Sequence, residues 1–393
     1  MFIFVVKIHH MQIENLFTVY KEQQLYGRYI TLSDIQPLLN TLSNYGNLNI
    51  IGKSVLGNSI YSFTIGSGNI RILMWSQMHG NESTTTKALF DFLNVLKSDT
   101  EEAKILLENF TFCTIPMLNP DGALAYTREN ANEADLNRDF CNLTQPESKL
   151  LFDVFKEFKP DYCYNLHDQR TIYAVGDSGK PATVSFLAPS YNDTREVNET
   201  RTKAINVIAA MNEALQQIIP GQVGRFDDSF NINCAGDTFQ YNSVPTILFE
   251  AGHFPNDYDR EETRRLIFVA LLSGLKYIYD NVVVDNRIME YLNIPQNKMN
   301  FYDFVYKNVK INYDGNEFIT NFASQYKEVL VGSKIVFVAF ISDIGSEEIF
   351  YGHVEYDAKN ELFRNDLSNI PRIEEKADFF IGNMEFINGQ SIS

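Results

Sequence analysis

Between about residues 12 and 290, apolar runs of strand length alternate with amphipathic stretches of helical length, and this alternation limits the architecture more than any other feature. The strand-length runs are 60–65, 70–76, 110–116, 162–167, 183–188 and 244–250, and the helical patterns are 83–97, 147–158, 195–218 and 259–280. Strands that are apolar throughout must be covered on both faces, and parallel neighbours need crossover connections that helices supply. The expected fold is therefore α/β, with a mixed, largely parallel sheet flanked by helices. In such sheets the loops leaving the carboxyl ends of strands build the functional site. The polar stretches 119–137 and 176–198 are the long loops that suit this role.

Near residue 300 the texture changes. Segments 334–341 and 348–356 read as strands and the helical patterns stop, so a small β-rich domain is expected at 300–393, after a body at 12–299. A chain of 393 residues is long enough for both. Its 33 Lys+Arg against 50 Asp+Glu give a formal charge of -17, a field that repels phosphate backbones and anionic lipids. Neither nucleic acid nor membrane is therefore an expected partner. Cys113, Cys141, Cys163 and Cys234 show no C-x-x-C spacing and read as free thiols in a reducing compartment. Residues 1–11 read as a leader or as the product of a start upstream of Met11; they lack the basic start and small-residue cleavage site of a signal peptide. A cytoplasmic location is expected, and the oligomeric state stays open.

Histidine is scarce. Of six, His9 and His10 lie in the leader and His353 in the tail, which leaves His79, His167 and His253. His79 opens His79-Gly80-Asn81-Glu82 after the run 70–78, and Gly80 suits a tight strand-to-helix turn. Residues three apart in a first helical turn project to one side, so His79 and Glu82 can converge on an ion. Alone, this spacing more readily describes a satisfied strand-end histidine and a glutamate that stabilises a helix N-terminus. His167 ends a second apolar run at another expected strand end. Two imidazoles and a carboxylate give three protein ligands and one open position, the arrangement of a catalytic zinc. Asp168 and Asn165 are candidates to orient those ligands. A rival pair, Glu250 and His253, has the same spacing in reverse.

Four motifs in order, His79-Gly80-Asn81-Glu82, Asn119-Pro120-Asp121-Gly122, Asp135-Leu136-Asn137-Arg138-Asp139-Phe140 and Phe249-Glu250, resemble those of the zinc metallocarboxypeptidases, the carboxypeptidase A-like peptidases. The likeness covers roughly residues 45–280 and implies a carboxypeptidase-like fold with one zinc per chain. It implies that His79, Glu82 and His167 hold the metal and that the substrate is a peptide, or a short peptide-like molecule, with a free carboxylate. Zinc would polarise water and the scissile carbonyl. Glu250 matches the general base that takes the water's proton and returns it to the leaving amine. Arg128 matches the arginine that stabilises the oxyanion. Asn137 and Arg138 match the pair that grips the terminal carboxylate, a task that suits the planar guanidinium fork. Asn119-Pro120-Asp121-Gly122 reads as a turn that serves as scaffold.

The match departs from the family in two places. The segment 227–231, where the family's mobile tyrosine belongs, holds none, and Asp237, near the family's specificity position, reads more readily as scaffold than as a selector of basic side chains. Two other functions compete. One is an amidohydrolase of N-acyl amino acids, resembling aspartoacylase and succinylglutamate desuccinylase, which share the H-G-N-E and D-L-N-R elements. The other is a catalytically silent zinc-fold binding protein.

Overall fold

A computed structural model describes residues 10–281, 286–345, 351–366 and 368–392. Most of the leader, residues 1–9, and residues 348–350 of one expected tail strand lie outside the described residues. The chain divides into two compact units, one formed by Met1–Gln169 with Thr183–Gln296 and the other by Arg170–Ala182 with Asn297–Ser393.

The first unit runs α1 (His10–Tyr20), α2 (Leu32–Leu42), β1 (Asn47–Lys53), β2 (Ser59–Gly66), β3 (Ile70–Ser76), α3 (Thr84–Leu96), α4 (Glu101–Asn109), β4 (Phe110–Ile115), α5 (Pro120–Ala125), α6 (Pro146–Phe158) and β5 (Tyr162–Asp168). The chain then contributes β6 (Ala174–Val175) to the second unit. It returns with β7 (Val184–Leu187), α7 (Glu199–Gln216), β8 (Val223–Arg225), α8 (Ala235–Tyr241), β9 (Thr246–Ala251), α9 (Glu261–Asp280) and α10 (Ile288–Leu292). Eight of these strands form one sheet in the order β1-β2-β4-β3-β5-β9-β7-β8. Its centre, β4-β3-β5-β9, is parallel, while β1 and β2 pair antiparallel at one side and β7 runs antiparallel to β9 at the other. This is the mixed, largely parallel sheet that the alternating pattern implies.

Strand β3 shows why its residues are apolar on both sides. Ile72 and Met74 enter a core shared with Leu89 and Phe92 of α3 and Leu271 of α9. Leu73 and Trp75 enter the opposite core with Leu151 and Phe155 of α6 and Phe239 of α8. Period-two alternation between two covered faces leaves no position for a polar residue across 72–75. Element ends differ from the sequence reading where local chemistry intervenes. Strand β9 starts after Pro245, which has no N–H to offer a ladder. Helix α7 starts at Glu199 because Asn198 caps it, accepting the Arg201 N–H at 2.8 Å.

The second unit carries β10 (Asn297–Lys298), β11 (Phe301–Tyr313), β12 (Asn316–Val331), β13 (Lys334–Gly345), β14 (Tyr351–Asp357), β15 (Phe363–Arg364), β16 (Phe379–Ile381), β17 (Met384–Ile387) and β18 (Gln390–Ile392). Long strands form the sheet β13-β12-β11-β14, short ones form β15-β16-β17-β18, and β10 pairs with β6. Phe304, Tyr306, Phe322, Phe363, Phe379 and Phe386 fill its core.

Candidate metal centre

Strands β3, β5 and β9 are parallel neighbours, so residues at their carboxyl ends arrive on one edge of the sheet. His79 follows β3 after a short turn, His167 lies at the end of β5, and Glu250 is the register partner of His167 on β9. The convergence of His79 and Glu82 has a different cause from the expected helical turn. Both residues precede α3, in a turn closed by the Glu82 N–H on the His79 carbonyl at 3.1 Å. Gly80 also owes its place to something other than turn conformation. A Cβ on it would stand 1.9 Å from the Gly122 carbonyl carbon, so this turn packs backbone against backbone on α5.

That contact accounts for Asn119-Pro120-Asp121-Gly122. The stretch 119–137, read as a loop, opens with helix α5, whose N-cap Asn119 accepts the Gly122 N–H at 2.8 Å. Pro120 sits in the first helical turn, where its missing N–H costs nothing. The buried Asp121 carboxylate accepts from Ser54 Oγ at 2.7 Å, the Leu56 N–H at 2.9 Å and Asn58 Nδ2 at 2.8 Å.

His79, Glu82 and His167 offer ligand atoms that all lie within 4.8 Å of one another, and they form the metal-capable group found among the described residues. His79 Nδ1 is 2.8 Å from Glu82 Oε1, and His167 Nδ1 is 2.8 Å from Glu82 Oε2 and 3.1 Å from His79 Nδ1. His79 Nε2 lies 3.0 Å from Asp135 Oδ1. A carboxylate there draws the ring proton to Nε2 and turns the Nδ1 lone pair toward His167 and Glu82. Two imidazole nitrogens and a carboxylate aimed at one point can share a cation. Ligands about 2.0–2.1 Å from a tetrahedral zinc stand roughly 3.3 Å apart, close to the spacing here. The donor set therefore fits zinc.

Asp135 is the residue whose importance the sequence reading missed, although it opens a quoted motif. Its Oδ1 also accepts the Asn137 N–H at 2.9 Å, and its Oδ2 accepts from Arg128 Nε at 3.1 Å. Burial alone would raise its carboxyl, but His79 and Arg128 hold it well below the usual carboxylate range. Arg128 also donates to Glu82 Oε1 at 3.2 Å, which places its guanidinium beside the metal-capable group. Burial, with the Glu82 charge second, pushes Glu250 well above the ordinary carboxyl range.

The other site candidates take distinct positions. Asn137 lends its side-chain oxygen to the Ala235 N–H at the start of α8, at 2.9 Å. Arg138 is exposed, and its Nη1 donates to the Asn137 carbonyl and to Cys234 Sγ. Asp168 turns away from the histidines and accepts the N–H groups of Thr84 and Thr85, at 2.9 and 3.2 Å. His253, the rival ligand, packs its ring at a tilt against Tyr258 and is absent from the metal-capable group. The carboxylate of Asp237 accepts the Asn231 N–H at 2.9 Å, a loop-fastening contact.

A family model described as zinc carboxypeptidase matches residues 32–246, a span that includes every candidate above except Glu250 and His253. Over 129 residues the chain is 32% identical to cytosolic carboxypeptidase 2 of Xenopus tropicalis, which takes in 29% of this chain and 13% of that protein. The match thus spans a small part of that relative's length. A metallo-carboxypeptidase from Burkholderia cenocepacia superposes with a TM-score of 0.52 at 17% identity, covering 65% of this chain and 70% of that one. The carboxypeptidase A of Helicoverpa armigera gives a TM-score of 0.52 at 16% identity, over 69% of this chain and 80% of its own. These two likenesses are of fold.

Proposed function

This chain belongs to the zinc carboxypeptidase family, and on that premise we propose that it hydrolyses a peptide bond at or near a free C-terminus, with one zinc held by His79, Glu82 and His167. The observation that carries this reading is the convergence of two Nδ1 atoms and a carboxylate on one point, beside the strand end that carries Glu250. When bound there, zinc supplies a Lewis acid that polarises water and the scissile carbonyl.

The chain's own groups then divide the work. Glu250 takes a proton from the attacking water and passes it to the leaving amine. Its raised affinity for a proton suits that exchange, because a carboxyl poised nearer neutrality both accepts and returns one. Arg128 presents a fixed cation where negative charge develops on the former carbonyl oxygen. Asp135 fixes the direction of His79 and holds Arg128 at the same time. Arg138, with Asn137 beside it, receives the terminal carboxylate of the substrate. A cytoplasmic location belongs to this reading and is supported by the name of the Xenopus relative.

The test compares peptides with free and amidated C-termini on zinc-loaded protein. Free peptides are expected to be cut at least about tenfold faster; equal rates would remove the carboxylate grip assigned to Asn137 and Arg138. In parallel, Glu250→Ala is expected to keep its zinc and lose about 10²- to 10⁴-fold in kcat, the range for a general base. Unchanged turnover would exclude Glu250 from that role.

A further inference from the structure

One buried cation touches both of the strands that bring His167 and Glu250 to the site. Arg260 sits immediately before α9 with a left-handed backbone (φ 55°), a conformation disfavoured for any residue with a side chain. Its side chain is 1% exposed. Nη1 donates to the Ala251 carbonyl at 2.8 Å, one residue beyond Glu250, and Nη2 donates to the Gln169 carbonyl at 2.7 Å, two residues beyond His167. The same Ala251 carbonyl accepts the Gln169 N–H at 2.8 Å, so the strand ends are also tied to each other.

A third tie reaches Glu82. Nη1 lies 3.6 Å from the Asp168 carboxylate, whose side chain is 2% exposed. That carboxylate holds the Thr84 and Thr85 N–H groups, while the Asp168 backbone N–H donates to Glu82 Oε2 at 3.1 Å. One guanidinium thus bears on the strand end of His167, the strand end of Glu250 and, through Asp168, the turn that carries Glu82.

Duties to its own helix do not explain this residue. A cation at a helix N-terminus faces the wrong end of the helix dipole. Capping there is done by Asp257, whose carboxylate accepts the N–H groups of Glu261, Glu262 and Thr263 at 2.8, 2.9 and 3.0 Å. A planar fork, however, can serve two carbonyls at fixed separation, which a lysine ammonium cannot reproduce.

We propose that Arg260 is a positioning residue that sets the mutual geometry of His167, Glu82 and Glu250 by clamping the carboxyl ends of β5 and β9. The proposal rests on the functional reading above, but its main readouts do not depend on turnover. Arg260→Lys and Arg260→Gln are prepared in the full chain. Zinc affinity is measured by competition with a chromogenic chelator, and ligand geometry by the visible absorption of the cobalt(II)-substituted protein. Both variants are expected to lose about 10- to 100-fold in zinc affinity, the range for outer partners of metal ligands, with Gln losing more than Lys, and to shift the cobalt bands. With a free-C-terminus peptide, kcat is expected to fall at least tenfold while KM stays within about threefold. Should Arg260→Gln fail to fold, Arg260→Lys decides the matter, since it keeps the buried charge and loses only the fork. Wild-type zinc affinity and an unchanged cobalt spectrum, whatever the melting temperature, would reduce Arg260 to a strut and overturn the proposal. If the wild-type protein cuts no peptide, the functional reading fails, and the metal readouts still judge Arg260.

Discussion

The two units handle buried charge in opposite ways. In the first, Glu82, Lys87, Asp91, Asp121, Asp168, Arg201, Arg260 and Arg264 are all buried; among the described residues of the second, Asp303 is the buried charged side chain. The second unit relies instead on aromatic packing, with Tyr306 stacked on Phe322 at 4.5 Å and Phe379 on Phe386 at 5.0 Å. Desolvated charge is costly unless it is paired, so its accumulation in one unit needs a reason. Within that unit the buried charges fall into two kinds. Asp91 and Arg264 satisfy each other through two short contacts at 2.6 and 2.7 Å, and they read as structure. His79, Glu82 and His167 bring two imidazole nitrogens and a carboxylate to one point, a grouping that can hold a metal ion. Buried charge by itself is therefore a poor signpost, and the convergence of metal-ligating side chains on one point is a better one.

The sharpest way to break this contrast is to remove one acceptor. His167→Ala is expected to weaken zinc binding by on the order of 10³-fold or more, beyond the 10- to 100-fold typical of an outer partner, and to abolish peptide turnover. Equilibrium dialysis with metal analysis checks it; retained stoichiometric zinc would return the three residues to the satisfied kind. Removing aromatic mass from the other unit should do something different. Phe379→Ala is expected to cost about 3–5 kcal/mol of unfolding free energy in denaturant titration, with zinc affinity unchanged; a parallel loss of zinc would erase the contrast. Next in size, Arg128→Ala is expected to lower kcat about 10²- to 10³-fold while zinc affinity holds within about threefold. A comparable fall in affinity would make Arg128 a support for Glu82 rather than a partner of the oxyanion.

The smallest effect concerns Asp237. Burial raises its carboxyl to about 6. A raised acid keeps its proton in the folded state after the unfolded chain has lost it, so its contribution is full below an unfolded value near 3.8 and is lost as pH rises through 6. Asp237→Asn offers the same acceptor to Asn231 without the charge. Relative to wild type it should gain stability across that window, by at most about 3 kcal/mol. Urea titrations at pH 4 and pH 7 measure the difference; an equal gap at both would show that the environment does not disfavour the charge.

Much of the first unit's fold could be read from the chain because its central strands are covered on both faces. That forces apolar runs such as 72–75, which form the buried middle of β3. Edge strand β1 escaped notice because one side of a sheet margin can face water, and Asn47–Lys53 mixes polar with aliphatic residues, none of them fully buried. Helices α5 and α8 were hidden because each is short and begins in turn-forming residues, so neither spans enough turns to show a period. At the site, His79, Glu82 and His167 were visible as residue types that zinc prefers. Asp135 and Arg260 were not, because what they do is defined by contacts between elements distant in sequence, and no spacing along the chain encodes a carboxylate's second hydrogen bond.

The passage of Arg170–Ala182 into the second unit has a consequence for how the protein is made. Ala174–Val175 emerges from the ribosome on the order of ten seconds before its partner strand Asn297–Lys298 at ordinary synthesis rates. Throughout that interval the chain just beyond His167 waits without its sheet, so this segment is expected to be a vulnerable point for proteases and chaperones during biosynthesis. A fragment stopped at Gln296 would keep it waiting indefinitely. The β-rich unit is thus interleaved with the chain that precedes it, and a recombination event or an engineer wishing to exchange it would have to cut at three junctions, one of them shortly after a proposed zinc ligand.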